Sequence, residues 1–169
     1  YSRRYWLALH PDIEKPIGGV KQMHRFAESL NACGRESIII QEKKDFHPSW
    51  FKSRVKTIAL KDWVKLDILT KERDVVVLPE TFLPVLPSYG HGLPKILFNQ
   101  NGSYSFGLGT AHDGFPDDPQ NVLDLYQHSD LKHIICVSKY DVNLIQNAFG
   151  IKEQRASCLI NAIETSVFK

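Results

Sequence analysis

The sequence predicts an α/β domain built on a mainly parallel sheet of about seven strands. Short apolar runs rich in β-branched and aromatic residues recur along the chain, and most are continuous rather than alternating. Continuous runs are typical of strands that are covered on both faces. Helical patterns lie between several of these runs, which favours right-handed βαβ crossovers. We therefore expect a Rossmann-like three-layer α/β/α fold.

The strand predictions follow the apolar runs in chain order. The runs are Tyr5–Leu9, Ser37–Ile40, Val55–Leu60, Val75–Leu78, Lys95–Phe98, Ile134–Val137 and Ser157–Ile160. In a sheet of this kind the ligand crevice lies outside the carboxyl ends of the strands, near the point where the strand order reverses. Functional residues are therefore expected in the loops that follow strands.

Helix boundaries are predicted by apolar spacing and by capping residues. Over residues 20–33 an apolar residue recurs every three or four positions, and Gly34 follows as the expected C′ residue. A second pattern over residues 142–149 is closed by Gly150. Asp118 before Pro119 indicates an N-cap with proline at the first helical position, rather than a catalytic acid pair with its neighbour. Residues 138–141 fit a capping box at the last helix.

Composition indicates one globular domain and excludes several classes of protein. The chain has 169 residues, of which 43% are hydrophobic and 24% charged, with a net charge of +2. No uncharged apolar run approaches the ~20 residues that cross a bilayer, and nucleic-acid binding would need a larger positive balance. No histidine or cysteine spacing matches a metal site. The three cysteines are expected to be reduced, buried and inert; they are Cys33, Cys136 and Cys158.

The loop after the first strand ends in a glycine pair that opens the first helix. Gly18 and Gly19 would let a phosphate approach the backbone, where unpaired N–H groups and the positive end of the helix dipole would meet it. The alternative is a tight turn that needs a positive φ angle. Neither the dinucleotide fingerprint G-x-G-x-x-G nor the P-loop pattern is present.

Other candidate site residues follow later strands. The loop over residues 99–120 is unusually long, which is typical of a functional or disordered segment, and within it His112 is a candidate for acid–base work. His24, next to the apolar stripe of the first helix, is either half-exposed or directed to the crevice. Glu80 and Ser138 follow the fourth and sixth strands as further possible cleft residues.

The segment His47–Lys65 combines basic and aromatic residues. It contains five lysine or arginine residues and a single acidic residue, and Trp50, Phe51 and Trp63 lie among them in the sequence. This composition suits an anionic membrane surface. The alternative is a solvated face whose tryptophans belong to the core.

Three blocks of sequence are similar to one known protein family. The first is the glycine pair with Val20–Leu30 leading to Gly34, and the second is Asp130–Tyr140. The third is Phe149–Ile151 with Leu159–Glu164 and Phe168. Together the blocks span nearly the whole chain, and in this order they resemble glycosyltransferases of the GT-B fold, in particular the family 4 retaining enzymes. In the third block Asn-Ala-Ile-Glu replaces the Asn-Gly-Ile-Asp of that family.

The resemblance implies that residues 1–160 form the acceptor-side N-terminal domain and that residues 161–169 begin the interdomain linker. The C-terminal nucleotide-sugar-binding domain, with the paired glutamates of the family, would lie outside this chain, so the isolated domain should be inactive. Enzymes of this fold resemble one another in needing no bound metal, and no cofactor is expected. The substrates would be a nucleotide-diphosphate-sugar and a hydroxyl acceptor such as a glycan or lipid-linked glycan, as in polysaccharide biosynthesis.

The resemblance also carries over a few residues. Gly18 and Gly19 match the glycine loop near the donor diphosphate. After the fifth strand many members place an acceptor-site histidine, whereas this chain has amides that can hydrogen-bond sugar hydroxyls. The expected acceptor-binding residues are Asn99, Gln100, Asn101, Tyr104 and His112.

Two other functions remain open at this stage. One is a non-catalytic flavodoxin-like binding module, and the other is an NAD-dependent oxidoreductase domain, for which Glu42 follows the second strand where a ribose-binding acid would lie. No apolar signal segment precedes the first strand, so we expect a cytoplasmic protein. The segment His47–Lys65 would place it at the inner face of the membrane.

Overall fold

The computed structural model describes residues 3–106 and 118–161. They form one seven-stranded, all-parallel sheet with helices on both faces, so the predicted Rossmann-like α/β fold is confirmed. The strands are β1 (Arg4–Ala8), β2 (Glu36–Gln41), β3 (Lys56–Ala59), β4 (Asp74–Pro79), β5 (Lys95–Asn99), β6 (Leu131–Cys136) and β7 (Ala156–Cys158). Their order is β3-β2-β1-β4-β5-β6-β7, which reverses between β1 and β4.

Within the described residues, four α-helices and three short 3-10 segments connect the strands. The helices are α1 (Gly18–Ala32), α2 (Leu60–Trp63), α3 (Pro119–Tyr126) and α4 (Lys139–Phe149). The 3-10 segments are Glu80–Val85 after β4, Gly102–Phe106 after β5 and Glu153–Arg155 before β7. No helix within the described ranges is both long and apolar enough to cross a membrane.

The sheet has a hydrophobic core on each face. In β1, Trp6 and Ala8 contact the core that α2, α3 and α4 cover, whereas Leu7, and Leu9 directly after the strand, contact the core under α1. Successive side chains of a strand point to opposite faces, so a strand covered on both sides must be apolar at every position. This is why the strands could be located from continuous apolar runs.

The helix ends follow the predicted capping residues. Gly34 has a φ of +72°, and its N–H donates to Asn31 O at 3.0 Å while the next N–H closes on Leu30 O at 2.9 Å. This is a Schellman motif, which favours glycine because its left-handed conformation strains other residues. The Asp118 carboxylate accepts the Gln120 N–H at 2.9 Å, as expected of an N-cap before proline.

Several predictions of detail were wrong. The seventh strand ends at Cys158 and does not extend to Ile160. The third strand is shorter than Val55–Leu60, because the chain turns into α2 at Leu60. Cys33 is exposed rather than buried, because it is the C-cap of α1, where the helix already turns away from the core. Cys136 is buried and Cys158 partly buried, and none of the three is in a disulfide.

Buried charges close the amino-terminal edge of the sheet. Asp74, which starts β4, accepts the Arg4 Nε–H at 2.7 Å and the Trp6 Nε1–H at 2.8 Å on one carboxylate oxygen. Its other oxygen accepts the Thr70 N–H at 2.9 Å. Asp74 is fully buried and the Arg4 side chain nearly so. This buried ion pair therefore lies at the edge of the sheet opposite the carboxyl ends of the strands.

Candidate functional site

A cleft of about 340 Å³ opens at the carboxyl edge of the sheet. Four segments line it: the loop after β1, the first turns of α1, the 3-10 segment after β4, and the turn after β5. Because the strand order reverses between β1 and β4, the cleft lies where doubly wound sheets usually bind ligands. The cleft therefore lies at the carboxyl edge of the sheet, as the strand pattern of the sequence predicted.

The glycine pair forms the first turn of α1 at the rim of the cleft. Neither Gly18 nor Gly19 has a positive φ, so the tight-turn alternative does not describe them. A Cβ on Gly18 would meet no heavy atom within 4 Å, whereas one on Gly19 would lie 3.3 Å from Gln100 Oε1. Among the described residues the N–H groups of this pair have no hydrogen-bond partner. The helix start is thus open to an anion.

The turn after β5 forms the opposite wall of the cleft. Gln100, Asn101 and Tyr104 all line it. The Gln100 Nε2–H donates to Gly19 O at 3.3 Å, which joins this wall to the start of α1. Asn99 is different: it is fully buried, and its Nδ2–H donates to Ser105 Oγ within the following 3-10 segment. Three of the expected acceptor residues therefore face the cleft, and Asn99 supports the turn from below.

Glu80 is the buried acid of the cleft. It begins the 3-10 segment after β4, lines the cleft and is only 4% exposed. Burial raises the pKa of its carboxyl to about 7, and the negative charge of Asp141 acts in the same direction. The backbone amides of Glu80 itself, Gln100 and Asn101 act in the opposite direction and favour the ionised form. A carboxyl group poised to titrate near neutral pH inside a cleft is typical of a functional site.

Aromatic side chains form the floor of the cleft beside the loop after β1. The His10 ring packs edge-on against Phe82, with ring centroids 4.9 Å apart, and its Nε2 lies 3.1 Å from Tyr89 Oη. Burial lowers the pKa of His10, which favours the neutral ring at physiological pH. His10 was not among the site residues predicted from the sequence. Its position directly after the first strand was the signal that could have found it.

His24 and Ser138 lie away from the cleft. His24 is fully buried rather than half-exposed, because α1 directs it at the segment around Phe51 and not at the carboxyl edge. Its Nδ1 lies 2.8 Å from Ser53 Oγ, and burial lowers its pKa to about 4. Ser138 caps α4: its hydroxyl accepts the Asp141 N–H at 3.0 Å and donates to the Asp141 carboxylate at 2.7 Å. His112 falls outside the described residues.

The aromatic residues of the segment His47–Lys65 point inward. Trp63 is buried in the core above β1, and Trp50 and Phe51 pack against the core under α1. Its five cations, Lys52, Arg54, Lys56, Lys61 and Lys65, are exposed. An interfacial anchor would need exposed aromatics, so the structure favours the solvated-face alternative. Electrostatic attraction to anionic lipid stays a prediction, which vesicle co-sedimentation at low and high salt would test.

The strand order and the cleft at its reversal point define a class: an α/β protein of Rossmann-like fold with a ligand crevice at the carboxyl edge. Among the residues that the structure describes, no group of three or more histidine, cysteine or acidic side chains could hold a metal ion. No protein-family model matches the chain, and no match to a curated protein is found.

Proposed function

We propose that this chain is the acceptor-side domain of a retaining glycosyltransferase, which transfers a sugar from a nucleotide-diphosphate-sugar to a hydroxyl acceptor. The contact between Gln100 Nε2 and Gly19 O carries the proposal. These residues are 81 positions apart, yet the contact unites the glycine loop and the amide turn, the two segments expected to serve donor and acceptor, in one cleft. A sugar-transfer site needs these two functions side by side.

The chemistry of the cleft suits the two substrates. The open N–H groups at the start of α1 would stabilise negative charge on a departing diphosphate, helped by the helix dipole. The side-chain amides of Gln100 and Asn101 offer both donors and acceptors to sugar hydroxyls. His10 and Phe82 provide an apolar surface for the ring of a sugar. In the proposal a second domain supplies the remaining donor contacts, so the isolated domain binds but does not catalyse.

The strand order argues against the flavodoxin-like alternative but not against the oxidoreductase. A flavodoxin-like module has the order 2-1-3-4-5, whereas this sheet continues as β3-β2-β1-β4-β5-β6-β7. An NAD-dependent oxidoreductase shares the observed order but uses a glycine fingerprint that this chain lacks. Titration of the chain with NAD and with nucleotide-diphosphate-sugars separates the second alternative from the proposal.

The deciding experiment uses the protein encoded by the complete gene. It is incubated with a panel of nucleotide-diphosphate-sugars and glycan or lipid-linked acceptors, and products are followed by mass spectrometry and by release of nucleoside diphosphate. We expect one acceptor to gain the mass of one sugar with retained anomeric configuration. Absence of transfer across the panel, together with NAD binding, would favour the oxidoreductase instead.

Removing the amides of the cleft wall should weaken acceptor binding. We expect Gln100→Ala and Asn101→Ala each to raise the acceptor KM about tenfold, because each removes hydrogen bonds worth roughly 1 kcal/mol or more. The donor KM should change much less in Asn101→Ala, whereas Gln100→Ala also removes the contact with Gly19 O in the glycine loop. Steady-state kinetics on the complete protein measures both constants.

The matched control for this pair is Asn147→Ala, which removes the same kind of amide from an exposed position on α4. It should leave both constants unchanged. If Gln100→Ala and Asn101→Ala also leave the acceptor KM unchanged, these residues do not contact the acceptor and the proposal loses its acceptor site.

A further inference from the structure

The cleft at the carboxyl edge has two walls of different chemistry. The wall after β5 is polar, because the side-chain amides of Gln100 and Asn101 line it. The facing wall is formed by the loop after β1 and the first turns of α1, and its lining includes the apolar residues Ile13, Ile17 and Val20. A ligand that fills the cleft therefore meets hydrogen-bonding groups on one side and hydrocarbon on the other.

Ile17 is the most informative residue of the apolar wall. Its side chain is 42% exposed, and it belongs to neither of the two cores that the described residues form. It is also the N-cap residue of α1, a position that favours serine, threonine, aspartate or asparagine because their oxygens accept the first N–H groups of a helix. Neither core packing nor helix capping accounts for isoleucine here, whereas an apolar contact with a ligand in the cleft does.

The rest of the apolar surface is held in place by the core. Ile13 is partly buried and packs against the core under α1, and Val20 is buried in that core. At the floor of the cleft the Phe82 ring is fixed by its edge-on contacts with His10, at 4.9 Å, and Tyr89, at 5.8 Å between ring centroids. The apolar side of the cleft is therefore formed before a ligand arrives, as is typical of small-molecule sites.

The charges of the cleft favour a neutral acceptor. Among the lining residues that the structure describes there is no lysine and no arginine, and the ionisable side chains are those of Glu80, His10 and Tyr104. A phosphate group on the acceptor would therefore meet a carboxyl group and no cationic side chain that could neutralise it. The open N–H groups at the start of α1 do suit an anion, but the proposed function uses them for the donor diphosphate.

The size of the cleft limits the length of the acceptor. Its volume of about 340 Å³ lies near the lower end of the range for small-molecule sites, which is about 300 to 1,000 Å³. A space of this size suits one sugar ring with a short apolar group better than an extended glycan.

We propose that the acceptor is a neutral glycoside whose accepting sugar carries an alkyl or aryl group: the sugar hydroxyls bond to Gln100 and Asn101, and the apolar group packs on Ile13 and Ile17. The role of this ligand as an acceptor rests on the function proposed above, whereas its polar and apolar sides rest on the cleft alone. An unsubstituted oligosaccharide would place hydroxyls against the apolar wall, where they find no hydrogen-bond partner and bury no apolar surface.

The apolar contact is tested by binding. Methyl, propyl and butyl glycosides of glucose, galactose and mannose are titrated into this chain, and binding is followed by NMR. In the series that binds, each added CH₂ should tighten binding about two- to threefold, so the butyl glycoside should bind about tenfold more tightly than the methyl glycoside. Equal affinities along every series, or no binding in any of them, would overturn the proposal.

A single variant locates the contact. Ile17→Ser removes the exposed apolar side chain and supplies a residue that suits an N-cap, so α1 should stay folded. In this variant the butyl glycoside should bind no more tightly than the methyl glycoside. The matched control is Ile68→Ser, at a residue that is 58% exposed and outside the described lining of the cleft, and it should keep the tenfold difference. A chain-length dependence that survives in Ile17→Ser would overturn the assignment of the apolar wall.

The role as acceptor is measured separately, on the complete protein with its nucleotide-diphosphate-sugar. We expect kcat/KM to be several-fold higher for the butyl glycoside than for the methyl glycoside of the same sugar. A free oligosaccharide, or a sugar linked to a lipid phosphate, that reacts faster than the butyl glycoside would overturn the neutral apolar acceptor. Failure to transfer any sugar, with the chain-length dependence of binding intact, would instead remove the proposed function and leave the apolar binding surface standing.

Discussion

Replacing Asp74 with alanine should lower the free energy of unfolding by about 3 to 5 kcal/mol, because it leaves a buried charge without its partner. Asp74 accepts hydrogen bonds from the side chains of Arg4 and Trp6 and from the backbone N–H of Thr70. Burial alone would raise the pKa of this carboxyl, yet these contacts hold the pKa below its usual range. The alanine variant would orphan three donors at once, and the Arg4 guanidinium would remain in a nearly closed site.

Chemical denaturation at constant pH measures this loss. The control is Asp67→Ala, which removes an exposed carboxylate and should change the free energy of unfolding by about 0.5 kcal/mol or less. A loss below about 1 kcal/mol for Asp74→Ala would mean that water or a rearranged Arg4 replaces the lost contacts.

Glu80 should make the protein less stable as the pH rises from 4.5 to about 7. Its pKa is about 7 when folded against an ordinary value of 4.5, so the folded state holds the proton that the unfolded state releases. The resulting stabilisation is fully present below pH 4.5 and is lost as the pH rises towards 7. A difference of this size corresponds to roughly 3 kcal/mol, at about 1.4 kcal/mol for each pH unit.

The measurement is the difference in unfolding free energy between wild type and Glu80→Gln at each pH. The wild-type curve by itself would mislead, because His24 acts in the opposite direction. Its pKa falls from 6.5 to about 4 on folding, so its contribution increases stability over an overlapping range of pH. This difference cancels the contribution of His24 to the pH dependence. The control variant Glu72→Gln, at an exposed residue, should differ from the wild type by the same amount at every pH. A flat difference for Glu80→Gln as well would contradict the assignment of a raised pKa to Glu80.

The fold could be predicted because this sheet is covered on both faces. Every strand of the centre must then be apolar at consecutive positions, as in Val75, Val76 and Val77, and such runs are visible in a sequence. The ends of helices were visible for a similar local reason, since Gly34 and Asp118 act on their immediate neighbours. What depends on a few adjacent residues can be inferred from them.

The site was predicted only in part, because its chemistry arises from distant residues. Gln100 and Asn101 were found as polar residues after a strand, but nothing near Glu80 in the sequence indicates that its carboxyl is buried in the same cleft as that turn. The predicted position of His24 was wrong for a related reason. Each residue turns a helix by about 100°, so a residue beside the apolar stripe can be either exposed or buried. The contact with Phe51, which is distant in sequence, is what buries His24.

The central position of β1 has a consequence for how the protein folds. The first strand pairs on one side with β2 and on the other with β4, about 70 residues further along the chain. Pairing of β1 with β4 therefore closes a long loop, and contacts between residues so far apart in sequence form slowly. The cleft walls meet only after that capture. We expect a refolding chain to regain β1–β2 protection from hydrogen exchange before it regains any affinity for ligand, and no contiguous fragment ending before β5 to bind at all.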